Sequence, residues 1–235
     1  MTELTAWFKN GLGRSLQMDA DLGLINILPR NYYSTALDLG PGTFQHFDKL
    51  DIQQLIRVNP LHIDTWSSTV IGEWCDLPFG RNTVDLIVLE HTLDFSHNPR
   101  SVLRESIQVL NNEGWIAILG FNPMGIWGIS QILLKKSGKA PWSGNFIRIS
   151  RLQDWLKLSG TTVVEVKYFF YRPPTNSPAL LHRLEIIEKL GTRWWPALSG
   201  GYIILAQKKQ LTGTHVLNAR RPQKQSVASE VMNTI

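Results

Sequence analysis

The stretch Ala36-Leu37-Asp38-Leu39-Gly40-Pro41-Gly42-Thr43 ends an apolar run in an acid, two glycines and a proline, as a strand does when it enters a nucleotide-binding turn. Gly40 and Gly42 permit positive φ and carry no Cβ to hold a ligand off the backbone. Dinucleotide folds use G-x-G-x-x-G with an acid about 20 residues further on. Here Phe44 and Gln45 stand where the third glycine would fall, and Asp38 lies two places before the first. Bulky side chains at that point obstruct a pyrophosphate, and the acid repels it. D-x-G-x-G suits instead a ligand with a sulfonium, an ammonium and no phosphate, the charge pattern of S-adenosylmethionine. The same residues also fit a Gly-Pro-Gly loop with an acid beside it.

A second pair, Glu90 and His91, follows the apolar run Val84 to Leu89. Such a run reads as a central parallel strand, and in open parallel sheets the carboxyl ends of the strands face the ligand crevice. Glu90 there can meet the cationic end of a cofactor. His91 is the residue type that exchanges a proton near neutrality, so it is the candidate base for an acceptor hydroxyl or amine, or else a loop residue bonded to a carbonyl. Asp94 and His97 lie close by, without metal-ligand spacing.

The elements that must position these residues alternate in type. Trp7 to Leu28 reads as one leading helix with a segment before it, closed by Pro29, and it either covers the ligand or packs on the sheet. Tyr32 to Leu39 is the first strand, Phe44 to Leu50 a helix, and Gln54 to Val58 a second strand ending near Asn59. Trp115 to Leu119 forms another strand. Ser150 to Leu158 is a helix capped by its serine, Thr162 to Tyr171 a strand, Ala179 to Leu190 an amphipathic helix and Gly201 to Ala206 the last strand. The sum is an α/β chain with one doubly wound domain.

Gly114 to Leu134 carries no charge, yet four glycines and Asn122-Pro123 interrupt it, which excludes a spanning helix. Ile126, Trp127, Ile129, Ile132, Leu133 and Leu134 then lead into Lys135, Lys136 and Lys139. That segment fits an apolar lid, peripheral contact with a membrane surface, or ordinary packing on the sheet.

Leu77-Pro78-Phe79, Asp85, Leu93, Pro99, Leu103-Arg104-Glu105, Val109-Leu110 and Gly114 match in type and spacing the small-molecule, type 11 branch of the class I S-adenosylmethionine-dependent methyltransferases. The resemblance spans about Leu37 to Phe121. Gly120-Phe121-Asn122-Pro123, Arg148 to Leu156 and Trp7 with Leu12-Gly13 resemble, more narrowly, a bacterial subgroup of methyltransferase-like proteins. It implies a Rossmann-like, doubly wound, mostly parallel seven-stranded sheet with helices on both faces and an antiparallel last strand. It also implies S-adenosylmethionine as cofactor, bound through Asp38, Gly40 and Gly42. Family members usually place an acid on the ribose hydroxyls at the end of the second strand, where Asn59 stands here, with Asp64 a few residues on. An acid four places before the leucine of Leu-Pro-Phe often meets the adenine amino group, which singles out Glu73, and Trp74 beside it offers a ring face. Insertions after the fifth strand build the acceptor side in the family.

These readings divide the chain into a cofactor-binding methyltransferase domain over 1–206, with a leading helix in 1–30 and an acceptor-side cap in 123–148, and a basic tail over 207–235. The net charge of +5 lies mostly in that tail, where Lys208, Lys209, Arg220, Arg221 and Lys224 face Glu230 alone. Its polar composition predicts a solvated, disordered segment, more a solubilising tail than a nucleic-acid arm. The single Cys75 and an N-terminus without a secretory pattern place the chain in a reducing cytoplasm. The expected partner is a small-molecule or lipid-like acceptor. A cofactor binder without transferase activity, or an enzyme acting on RNA or protein, remains the alternative, and the oligomeric state is not readable.

Overall fold

The computed structural model describes residues 2–44, 46–60, 69–174 and 198–209. Two helices open it, α1 (Thr2–Phe8) and α2 (Gly11–Ile27). They replace the single leading helix that the sequence suggested, because the chain turns at Lys9-Asn10. Gly13 lets the second helix start there, since a Cβ at that position would run into the carbonyl of Trp7.

β1 (Tyr32–Leu39) and β2 (Asp51–Asn59) follow, joined through the glycine turn and a short 3-10 turn at His46–Lys49. The expected helix over 44–50 contracts to that one turn. Next come β3 (Thr69–Ile71), β4 (Val84–Glu90), α3 (Thr92–Phe95), α4 (Pro99–Val109) and β5 (Leu110–Phe121). Asn98 caps α4 by accepting the Ser101 N–H at 3.2 Å, with Pro99 in the first turn where its missing donor costs nothing. α5 (Ile126–Leu134), α6 (Ile149–Leu158), β6 (Thr161–Phe169) and β7 (Gly201–Lys208) complete the order. α6 starts after Arg148 without a side-chain cap, so Ser150 does not cap it. The helix expected at 179–190, with Trp194 and Trp195, lies outside the described residues, as do Asp64, Gln45 and the tail from residue 210.

The seven strands form one sheet in the order β3-β2-β1-β4-β5-β7-β6, parallel except for β7, which runs against both its neighbours. The sheet is Rossmann-like with an antiparallel last strand. Strand alternation divides its side chains between two cores. Leu86, Val88, Ala117, Leu119, Ile203 and Leu205 pack with α1 and α2 on one face. Ile87, Leu89, Ile116, Ile118, Ile204 and Ala206 pack with α4 and α6 on the other. This explains why β4 reads as a continuous apolar run: both of its faces are buried.

Chain order and sheet order diverge at the β1–β4 junction. From β1 the chain steps outward to β2 and β3, then returns across β1 to β4 and proceeds the other way. At the carboxyl ends of β1 and β4 the strand order reverses, which is the place where open α/β sheets hold ligands in a crevice. Asp85 works at the opposite edge. Its carboxylate accepts from the Ser34 and Thr35 N–H groups and from Asn111 Nδ2, fixing the starts of β1, β4 and β5 relative to one another.

Candidate functional site

β1 ends in the glycine turn and β4 ends in Glu90, and the two strands pair up to Leu39 and Leu89. The turn and Glu90 therefore meet at the crevice. Gly42 needs its freedom, with φ of 70°. Gly40 is a glycine for another reason: a Cβ there would sit 2.8 Å from both the Cβ and the carbonyl oxygen of Glu90. The space that the sequence reserved for a ligand over Gly40 is taken by β4.

Glu90 is 1% exposed, and its carboxylate closes the turn. It accepts from the N–H groups of Thr43 and Phe44, each at 3.2 Å, and from the Thr43 hydroxyl. That hydroxyl also lies 2.9 Å from Gln17 Oε1, and Gln17 Nε2 donates to Asp21 Oδ1 at 2.6 Å. Helix α2 is thus tied to the turn through Gln17, which no motif in the sequence marked. Phe44 does not obstruct the turn; its ring is buried in the core, edge-on to Phe47 at 4.4 Å. What disfavours phosphate is Glu90, which already holds the two N–H groups that a phosphate would seek.

Asp38 is likewise 1% exposed. One oxygen accepts from Arg57 Nε at 3.2 Å, while Oδ1 has no partner among the described residues. Burial and then the charge of Glu90 raise its carboxyl to about 7, against the opposing pull of Arg57. Two buried acids, with a guanidinium paired to Asp38, leave the turn short of positive charge. A sulfonium with its ammonium supplies that charge, so the residues present fit S-adenosylmethionine.

Around this centre, Asn59 is buried at the end of β2 and its amide reaches the Gly40 carbonyl at 3.4 Å. Glu73 is exposed in the bend after β3. Trp74 is buried in the second core and donates to the Val58 carbonyl at 2.9 Å, so its ring anchors that bend to β2. The structure brings Asp38, Gly40, Gly42, Asn59 and Glu90 together, whereas Glu73 forms no hydrogen bond or ion pair with them among the described residues.

His91 follows Glu90 with φ of 52°, in the left-handed region that non-glycine residues seldom occupy. Its side chain is fully buried. Nδ1 lies 3.3 Å from Asp94 Oδ2, which also accepts the Phe121 N–H at 2.9 Å. Burial raises the Asp94 carboxyl, against hydrogen bonds from His91, Phe121 and Ile147. Nε2 has no partner among the described residues. The imidazole is tilted over Phe121 at 4.1 Å and against Phe8 of α1 at 5.5 Å, and Phe121 in turn stacks on Phe146 at 4.8 Å and Trp127 at 5.8 Å. Asp94 and this aromatic wall escaped the sequence reading, although Asp94 at i+3 from His91 was the available signal. A cleft of about 640 Å³ lies elsewhere, between α4 and α6, and neither the glycine turn nor Asp38, Asn59, Glu90 or His91 lines it.

Residues 26–118 match the family described as a methyltransferase domain. That match supports the type 11 branch of the class I methyltransferases, and the cofactor that this family and fold imply is S-adenosylmethionine. A methyltransferase from Thermotoga maritima shares the fold with a TM-score of 0.63 at 15% identity, covering 88% of this chain and 96% of its own. A methyltransferase from Archaeoglobus fulgidus does so at 0.56 and 18%, covering 80% and 93%. The [4+2]-cyclase SpnF superposes at 0.57 and 16%, covering 81% of each chain. In sequence, the chain is 31% identical over 150 residues to the Escherichia coli K12 protein YafS, whose name describes it as uncharacterized. That match covers 64% of this chain and 57% of YafS.

Proposed function

We propose that the protein transfers the methyl group of S-adenosylmethionine to a small apolar or lipid-like acceptor at the carboxyl ends of β1 and β4. The observation that carries this reading is one juxtaposition: the acid pair Asp38 and Glu90 beside the glycine turn, and, on the next residue, a buried imidazole nitrogen without a partner among the described residues. Bound S-adenosylmethionine supplies an activated methyl carbon on a positively charged sulfur. Asp38 and Glu90 would balance the charge, Gly42 lets the turn close, and Asn59 at the end of β2 would hold the ribose side.

His91 takes the proton of the acceptor at Nε2 as the acceptor's lone pair attacks. Asp94 keeps the other nitrogen protonated and fixes the ring, so it is a positioning residue. The apolar surroundings of Phe8, Phe121 and Trp127 exclude water and favour an acceptor with an apolar body. Residues 123–148 form the acceptor side.

A second reading has its own support. His91 is closed off by Phe8, and a fold shared with a cyclase does not by itself fix the reaction. On that reading the protein binds the cofactor and transfers nothing. Incubation with methyl-labelled S-adenosylmethionine and fractionated cell extract separates the two. Release of S-adenosylhomocysteine with label in an extractable product supports transfer, and tight binding with no release in any fraction sinks it.

A further inference from the structure

α5 is amphipathic in the inverse sense for a helix packed on a sheet. It buries Trp127, Gly128 and the polar Gln131, whose amide donates to the Gly144 carbonyl at 2.7 Å. Outward it presents Ile129 at 60%, Ile132 at 73% and Leu133 at 75% exposure, with Met124 and Leu134 beside them. A contiguous patch of this kind marks a surface that something covers.

The charges around it identify the occupant. Between Glu113 and Asp154 the chain has no acidic residue, and its charged side chains there are Lys135, Lys136, Lys139, Arg148 and Arg151. All five are exposed, and none forms an ion pair among the described residues. Three of them follow directly on the carboxyl end of α5 and the 3-10 turn Lys135–Ser137. The helix has nine residues, far short of the roughly 20 needed to cross a bilayer. Aliphatic side chains on one face with lysines at their border are what the boundary between acyl chains and anionic headgroups accepts.

A second copy of the chain fits less well, because the same region of that copy has no acidic residue to pair with the lysines. We propose that α5 and its lysine-rich end dock the protein on an anionic membrane surface, with the helix lying in the interface plane. The opposite face of α5 carries Trp127 into the aromatic wall beside His91, so docking would place that wall at the lipid boundary. The surface stands on its own and does not require the methyl transfer proposed above.

The test is co-sedimentation of the full chain with vesicles of phosphatidylglycerol and phosphatidylcholine, against vesicles of phosphatidylcholine alone. The wild type should partition to the anionic vesicles. The double variant Ile132→Asp/Leu133→Asp should lose partitioning by about tenfold or more, and Lys135→Gln/Lys136→Gln/Lys139→Gln by a similar factor, with unchanged circular dichroism and melting temperature. Wild type that stays in the supernatant overturns the proposal. So does a double variant that still binds like the wild type, since the tail would then be the anchor. A double variant that dissociates a dimer in sedimentation velocity assigns the face to a second copy. One that melts several degrees lower assigns it to another part of this chain.

Discussion

Asp38 shares a buried corner with Glu90, with Arg57 beside it as counter-charge, so its protonation is linked to folding and to cofactor binding. The Asp38 carboxyl is raised to about 7 in the folded state, from an ordinary value near 4, so the folded chain holds more protons than the unfolded chain between those limits. Its contribution to stability is present at about pH 4 and is lost as pH rises through 7. A cationic ligand favours the carboxylate, so binding of S-adenosylmethionine near pH 7 should expel about half a proton, and affinity should rise between about pH 6 and 8. Calorimetry in buffers of different ionisation enthalpy reads this, and Asp38→Asn should abolish the proton release. His91 makes a separate claim. Its left-handed backbone costs on the order of 1–3 kcal/mol, a strain that persists where surrounding structure imposes it and often where function uses it. His91→Gln should lower single-turnover rate by about 10² or more while cofactor affinity holds, and Asp94→Asn should lower rate in the same direction. Equal losses of rate and affinity would reduce both to loop scaffolding. The types and places of Asp38, Glu90 and His91 were legible in the sequence, because each ends an apolar run. Their partners Thr43, Gln17, Arg57 and Asp94 were not, because a hydrogen bond between distant elements leaves no local pattern.

Among elements, the decisive contact is the approach of β1 to β4. The ends of the two strands are locked by the Thr92 hydroxyl on the Leu39 carbonyl, by the Glu90 carboxylate on the glycine turn, and by the missing Cβ of Gly40. Read from sequence alone, Gly40 lacks a Cβ so that a ligand can approach the backbone. With Glu90 2.8 Å from the added Cβ, even Gly40→Ala should lower unfolding free energy by about 1–3 kcal/mol in urea titration, with valine worse. A fully stable Gly40→Ala variant would mean that the strand ends separate freely. The leading region shows the same lesson in reverse. Trp7 to Leu28 has helical spacing throughout, so a single helix was the local reading. The break at Lys9-Asn10 follows from packing, which carries Leu4 and Phe8 into the core and lays Phe8 against His91.

For the whole molecule, any ligand that binds only the folded state stabilises it by mass action, by about 2.7 kcal/mol at a hundredfold excess over Kd, and so raises its melting temperature. S-adenosylmethionine and S-adenosylhomocysteine should both produce that shift, and NAD should not, because Glu90 holds the turn against a pyrophosphate. A shift with NAD alone would reverse the assignment. The amino-acid order by itself determined the class of fold, the acid-glycine turn and the positions of most strands, since period-2 and continuous apolar runs depend only on neighbours in the chain. It also excluded phosphate, though partly for a wrong reason, since Phe44 is buried and Glu90 does the excluding. Only the tertiary structure decided that the β1–β4 junction is where the acids meet, that Gly40 serves strand contact, that Trp74 is an anchor and that His91 is paired with Asp94. It alone decided which face of α5 is covered. The physical reason is common to all of these: burial and charge coupling are set by residues distant in sequence and adjacent in space, and one chain read in order carries no record of that adjacency.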